Sequence, residues 1–298
     1  MTEINFYLLS LIKNNYSNEE ICEKLNITNK ELKRRIESLK YDGFNISKFY
    51  SYDGENNYVL NKSKLNSEEI VTIHSKEHQN DFRSLVIADN HIGHVKDNMT
   101  YTEIMYDYCQ KHDIRIIFHC GDLLNGTKQN RIGPQEQLQF LIDEYPSENN
   151  ILTFFAFGNH EKDFLKHYGI NLKSLIEQYR DDIIPLGYNE NIVHINNVND
   201  DIAISHESKF SNQCALRLAG HSHRYKFIAH DYHPLIIAPT LSDFLHTNDF
   251  PGAIEIYLAA PDNNTRYLLS THLIINGSNK VKQVSKVEHT SHKKLVRK

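Results

Sequence analysis

The stretch SLVIADNHIG at residues 84–93 decides how this 298-residue chain is read. Four apolar residues, Leu85 to Ala88, run without interruption and stop at Asp89, Asn90 and His91, with Gly93 just beyond. A short continuous apolar run marks a strand buried on both faces. The same pattern recurs downstream. IIFHCGD at 116–122 ends in Gly121-Asp122, and LTFFAFGNHE at 152–161 ends in Gly158-Asn159-His160-Glu161. IAISH at 202–206 ends in His206, and LRLAGHSH at 216–223 ends in Gly220-His221-Ser222-His223. In open α/β folds ligand sites collect beyond the carboxyl ends of strands, so these five clusters are expected to meet in one crevice.

Carboxylate, amide oxygen and imidazole without thiolate suit manganese, iron or zinc. The imidazoles argue against a dedicated calcium or magnesium cage. Between and after the strands, helices are predicted near 99–111, 135–144 and 164–180. Further strands are predicted at 226–229, 235–238, 254–258 and 267–275, and no internal repeat is visible.

The first sixty residues follow a different pattern. Ile4, Tyr7, Leu8, Leu11 and Ile12 recur at helical spacing. Ser17 and Glu20 then form a capping-box pattern ahead of a short helix carrying Ile21, Cys22 and Leu25. Thr28 and Glu31 repeat that pattern before a basic amphipathic helix with Leu32, Ile36 and Leu39 inward and Lys30, Lys33, Arg34, Arg35 and Lys40 mostly outward. From Phe44 to Leu60, broken at Asp53-Gly54, the aromatic and β-branched stretch predicts a hairpin. Three helices and then a hairpin are the order of a winged helix-turn-helix, and the stretch from Ser17 to Leu60 resembles the winged-helix domains of bacterial regulators. In that resemblance Lys30, Lys33 and Arg34 would enter a DNA major groove.

The motif order D-x-H, G-D, G-N-H-E, H, G-H-x-H resembles the calcineurin-like metallophosphoesterase superfamily. The resemblance implies a β-sandwich flanked by helices, an α/β fold, with two divalent cations, manganese first and iron or zinc next. It assigns Asp89, His91 and His223 to one cation, Asn159, His206 and His221 to the other, and Asp122 to both. His160 would donate a proton to the leaving oxygen, with Glu161 orienting it. Gly121, Gly158 and Gly220 would permit the backbone geometry of the ligand loops. Asn125, His94 and His119 lie beside the motifs and are expected to support the site or to pack. Ser205 stands where the family often has glycine.

The phosphoprotein phosphatases of the superfamily carry arginines in the second and third motifs. Here the loop from Gly121 to Gly126 has none, and Phe157 precedes Gly158. The D-x-H-x-G opening looks instead like the phosphodiesterase and nuclease branches, which makes nucleic acid the first substrate class. Arg131 is a candidate phosphate contact. Two alternatives are a regulator that uses the fold as a sensor, and a small-molecule phosphodiesterase whose winged helix dimerises.

Composition narrows the setting. With 40% hydrophobic and 24% charged residues and no Trp, the chain reads as folded and soluble. It has no apolar run of membrane length and no signal-peptide pattern at its start. Four unpaired-looking cysteines suit a reducing, cytoplasmic setting. The net charge of -5 hides an uneven distribution: residues 1–62 are neutral, residues 280–298 carry +6, and the middle therefore carries -11. The expected division is a winged helix over 1–62, a polar linker over 63–80, the metallophosphoesterase domain over 81–279, and a frayed basic tail over 280–298. Homo-oligomerisation is left open, and no membrane partner is expected.

Overall fold

The computed structural model describes residues 3–60, 71–74, 80–148, 150–212, 214–247, 249–262 and 265–292. Three helices come first: α1 (Glu3–Lys13), α2 (Asn18–Leu25) and α3 (Asn29–Tyr41). The Ser17 hydroxyl accepts the Glu20 N–H, and the Glu20 carboxylate accepts the Ser17 N–H at 2.8 Å, which closes the predicted capping box. Thr28 caps α3 with its hydroxyl alone, because the Glu31 carboxylate is taken by Arg34 and Arg35. Leu8, Ile12, Ile21, Leu32, Ile36 and Leu39 are fully buried, packed against Ile46 and Tyr58 of a hairpin formed by β1 (Ile46–Ser51) and β2 (Asn56–Leu60).

Strand β3 (Val71–His74) follows. The chain then runs through β4 (Asp81–Ile87), α4 (Met99–Lys111), β5 (Ile116–His119), α5 (Pro134–Asp143) and β6 (Leu152–Ala156). Helices α6 (Lys162–Tyr168) and α7 (Leu172–Tyr179) lead to β7 (Ile183–Gly187), β8 (Asn191–Ile195), β9 (Asp200–Ile204) and β10 (Leu216–Ala219). The chain closes with β11 (Lys226–Ile228), β12 (Leu235–Ile237), β13 (Gly252–Ala259), β14 (Thr265–Ile275) and β15 (Val281–His292).

These strands make two sheets, ordered β15-β14-β13-β4-β5-β6-β7 and β11-β12-β10-β9-β8-β3-β1-β2. Strands β4 to β7 pair in parallel, and β13 to β15 extend that sheet antiparallel. Phe82, Val86, Phe118 and Phe154 meet Ile202 and Leu218 in the layer between the sheets. Their neighbours Leu85, Ile87, Ile117 and Phe155 face the opposite way, into a second core with Met105, Leu141, Phe164 and Ile176 of the helices. Burial on both faces is why these strands read as uninterrupted apolar runs. The result is a mixed α/β fold of two sheets flanked by helices, as expected.

Four expectations need correction. The helix predicted over 164–180 is two helices, because Gly169 ends α6 in a left-handed conformation at φ 65° and the Asn171 side chain caps α7. The stretch read as linker contains β3, which lies between β8 and β1 and runs parallel to both, with Val71 opposite Val193 and Ile73 opposite Tyr50. The N-terminal hairpin therefore shares one continuous sheet with the core, and Tyr50 meets Phe154 edge-on at 5.3 Å between ring centroids. The remainder of the supposed linker, apart from Asn80, lies outside the described residues. The stretch expected to fray is the edge strand β15, paired to β14 from Val281 to His292. Lys282 and Lys286 alternate with half-buried residues, so their charge lies on the solvent-facing side of a strand edge. Residues 293–298 of that stretch are outside the described residues. No helix among the described residues is long and apolar enough to cross a membrane.

Candidate metal centre

The side chains singled out from the five motifs converge. Asp89 and His91 follow β4, Asp122 follows β5, and Asn159 and His160 follow β6, all at carboxyl ends of the parallel strands. From the other sheet, His206 follows β9, while His221 and His223 follow β10. Three overlapping groups bring their ligand atoms within 4.8 Å of one another: Asp89, His91 and His223; Asp122, His206 and His221; and His91, Asp122 and His160.

One atom joins them. Asp122 Oδ2 lies 3.0 Å from His206 Nε2, 4.0 Å from His91 Nε2 and 3.9 Å from His160 Nε2. On one side of it, His91 Nε2 and His223 Nε2 are 3.2 Å apart, and Asp89 Oδ1 is 3.5 Å from His223 Nε2. On the other, His206 Nε2 is 3.0 Å from both Asn159 Oδ1 and His221 Nδ1.

The backbone is bent to achieve this. Asp89, His91, Asp122, His221 and His223 all have φ between 50° and 67°. For non-glycine residues that left-handed conformation costs of order 1–3 kcal/mol each, and it persists where surrounding structure enforces it. Gly158 is required for space rather than for backbone angle: a Cβ there would lie 2.1 Å from Asp122 Oδ1. Gly121 needs both, at φ 94° with a Cβ position 2.6 Å from His206 Nδ1.

Backbone carbonyls aim the imidazoles. His206 Nδ1 is 2.8 Å from the Cys120 carbonyl, His160 Nδ1 2.6 Å from that of Asn125, and His223 Nδ1 3.3 Å from that of Phe244. Each contact fixes the proton on Nδ1 and turns Nε2 toward the centre, which is how imidazole ligands are usually held. Glu161 does not orient His160, contrary to expectation. Its fully buried carboxylate accepts the N–H groups of Asp122, Leu124 and Gly158, at 3.1, 2.9 and 2.7 Å, and so ties two ligand loops together. Burial and the neighbouring Asp122 charge push the Glu161 carboxyl up, while those N–H groups pull it back.

The charge state is set locally. Burial would raise the Asp122 carboxyl, but the hydrogen bond to His206 and the surrounding imidazoles hold it well below the usual range. Burial would lower His206, yet its contact with Asp122 pushes it up to about 9. His91 is driven down to about 4 by burial, so it is a neutral donor at pH 7. A cation fits this centre on two observations. Asp89 Oδ1 is buried with no hydrogen-bond partner among the described residues while facing two imidazole nitrogens, and a His206 proton stands where a positive charge is favoured.

The residues beside the motifs support rather than line the site. His119 is buried, with Nε2 2.6 Å from Asn90 Oδ1 and Nδ1 accepting the Gly121 N–H. Asn125 braces its own loop through Asn130. His94 accepts the Lys96 N–H and packs on Phe244 at 4.1 Å. Arg131 is forked on Asp97 and Arg224 is paired with Asp249, so both guanidinium groups are committed. Two contributors escaped the sequence reading. Thr240 donates its hydroxyl to the Asp89 carbonyl at 2.7 Å, and the Phe244 ring walls His91, His94 and His223. Nothing in the sequence around Thr240 distinguishes it from an ordinary loop. A groove of about 420 Å³, lined by Phe157, Lys162, Lys209 and Phe210 among others, opens beside Asn159 and His206.

The residues assigned to DNA lie elsewhere, on α3. Lys33 Nζ is 2.5 Å from Asp181 Oδ1 and donates to the Glu177 carbonyl, Arg34 forks onto Glu31, and Lys30 is exposed.

The family profile of the calcineurin-like phosphoesterases matches residues 82–275. No curated protein matches the chain. Among solved structures, a conserved uncharacterized protein of Streptococcus pneumoniae, described as a predicted phosphoesterase, is 16% identical with a TM-score of 0.42, over 70% of this chain and 98% of its own. An archaeal phosphodiesterase is 13% identical with a TM-score of 0.41, over 68% and 99%. Vacuolar protein sorting 29 from Cryptosporidium parvum is 12% identical with a TM-score of 0.43, over 72% and 100%.

Proposed function

Because the chain belongs to the calcineurin-like phosphoesterase family, hydrolases acting on phosphate esters, we propose that it cleaves phosphodiesters, those of nucleic acid among them. Two divalent cations, manganese first, would be held by Asp89, His91 and His223 and by Asn159, His206 and His221, with Asp122 shared. The observation that carries this reading is Asp122 Oδ2, one buried carboxylate oxygen facing both ligand groups. When bound, the cations would supply Lewis acidity for in-line attack of water at phosphorus.

The chain's own residues do the remainder. The Asn125 carbonyl holds the Nδ1 proton of His160, which leaves Nε2 at the rim of the centre, where the imidazolium form would pass its Nε2 proton to the departing oxygen and return to the neutral ring. Arg131 and Arg224 are both spent on carboxylates, so neither guanidinium is free to grip the extra charge of a monoester. The groove past Asn159 has room for the second esterified group of a diester. Nucleic acid is supported by the N-terminal unit, whose helix order resembles a winged helix. Contact through α3 would rest on Lys30 and on exchanging the carboxylate partners of Lys33 and Arg34 for phosphates.

The test is hydrolysis of bis(p-nitrophenyl) phosphate with manganese, beside p-nitrophenyl phosphate, with Asp122→Asn as control. Diester turnover that Asp122→Asn abolishes supports the proposal. Preferential monoester turnover, or activity that survives the substitution, refutes it. Binding of long DNA that falls steeply with salt, with a shallower slope in Lys30→Glu, supports the nucleic-acid part, and a salt-independent interaction sinks it.

A further inference from the structure

A second cavity lies away from the metal centre. It occupies about 1090 Å³ between the outer face of α3, the strands β1 to β3, and helix α7 with β7. Six basic and three acidic side chains line it, in a chain whose net charge is -5. Three of the basic groups are neutralised within the structure: Lys33 by Asp181, Arg34 by Glu31 and Lys40 by Glu37. Lys30, Lys48 and Lys173 are left, and none of them has an acceptor among the described residues. Asp181 and Glu177 partly offset the charge of Lys48.

Lys48 is the informative one. It projects from β1 and is half-buried, and burial together with the neighbouring Lys33 and Lys40 charges pushes its ammonium down, though Asp181 and Glu177 act against this. Buried ammonium groups ordinarily have a carboxylate or carbonyl partner. The next residue, Phe49, stacks on His74 of β3 with ring centroids 4.3 Å apart and planes 15° from parallel, and both line the cavity. An aromatic stack beside unneutralised ammonium groups, in a cavity of ligand size, combines a platform for a planar ring with an anion sink.

We propose that this cavity binds a phosphorylated ligand of nucleotide size, its phosphate held by Lys48, Lys173 and Lys30 and its ring laid on the Phe49–His74 stack. The site is separate from the metal centre and does not depend on the proposed reaction. Its walls come from both the N-terminal unit and the phosphoesterase core, so an occupant would bridge them across Asp181, whose carboxylate holds Lys33 and whose carbonyl accepts Asn56.

Calorimetric titration of the full chain with ATP, and separately with inorganic pyrophosphate, tests this in the presence of chelator so that cations play no part. The expected result is a single ATP site that Lys48→Gln and Lys173→Gln each weaken tenfold or more and Asp122→Asn leaves unchanged. Lys173 is exposed on α7, so its substitution reads binding even if Lys48→Gln fails to fold. Pyrophosphate binding as tightly as ATP would remove the ring from the proposal and overturn the nucleotide assignment. No binding of either, binding indifferent to both lysines, or binding lost in Asp122→Asn would overturn the site itself.

Discussion

At the scale of single residues, the centre is a set of donors whose positions are enforced by neighbours with little freedom. Gly158→Ala puts a methyl carbon 2.1 Å from Asp122 Oδ1. The expected outcome is a loss of manganese affinity of at least tenfold, read by titration, with a near-native circular dichroism spectrum. His160→Ala should leave manganese affinity intact and lower kcat by about 10²–10⁴. That loss should shrink for esters with acidic leaving groups such as p-nitrophenol, which need no proton; equal losses across leaving groups would contradict proton donation. The proposed ligands were legible in the sequence because each is a chemically distinctive side chain ending an apolar run. The carbonyls of Cys120, Asn125 and Phe244 were not, since every residue has a carbonyl and only the folded backbone shows which one meets a ring nitrogen. The role of Glu161 was misread for the same reason: its partners are backbone N–H groups.

At the scale of elements, strands seen in isolation gave weaker signals than strands followed by motifs. β3 is four residues long among polar neighbours, and its reason for being a strand lies in β8 and β1, far off in sequence. Ile73 is fully buried there. Ile73→Asp should cost about 3 kcal/mol or more in urea unfolding, while the conservative Ile73→Val should cost about 1 kcal/mol. β15 was hidden by its lysines, which sit on the exposed face of an edge strand. Its neighbour β14 supplies a pH-dependent element. His272 stacks on Tyr225 at 4.2 Å, its Nε2 has no partner among the described residues, and burial lowers it to about 4. The native state holds this imidazole neutral while the unfolded chain takes up a proton below about 6.5, so stability is lost as pH falls from 6.5 to 4 and levels off below. His272→Phe should therefore lose less stability than the native chain between pH 7 and pH 5, by about 1–2 kcal/mol in denaturation midpoints. Identical losses would rule out His272 as a source.

At the scale of the whole molecule, the two units read from the sequence are one sheet. Tyr50 of β1 belongs to the same buried cluster as Phe154 and Ile202, and the β1–β3–β8 ladder crosses the expected boundary. Thermal unfolding should accordingly be one cooperative transition with coincident near- and far-ultraviolet signals. Removing residues 1–62 should lower the melting temperature and promote aggregation, because it bares the edge of β3 and part of the inter-sheet core. Two separate transitions, or a truncated chain as stable as the full one, would show that the shared sheet is energetically idle. Composition and periodicity located both units and their internal order. They could not show the join, because a parallel pairing across roughly 120 residues leaves no local pattern in either partner.

That join also sets a timetable for biosynthesis. The slot for β3 is not complete until β8 has been made, and at about 5–20 residues per second the ribosome needs roughly 6–24 s to cover the interval. Through that time the hairpin of β1 and β2 can fold on α1 to α3, but β1 keeps an open hydrogen-bonding edge and Tyr50 has no inter-sheet core to enter. The nascent chain thus emerges with its first-made unit waiting on one of its later strands, a period in which a chaperone that covers strand edges would have its chief opportunity to act.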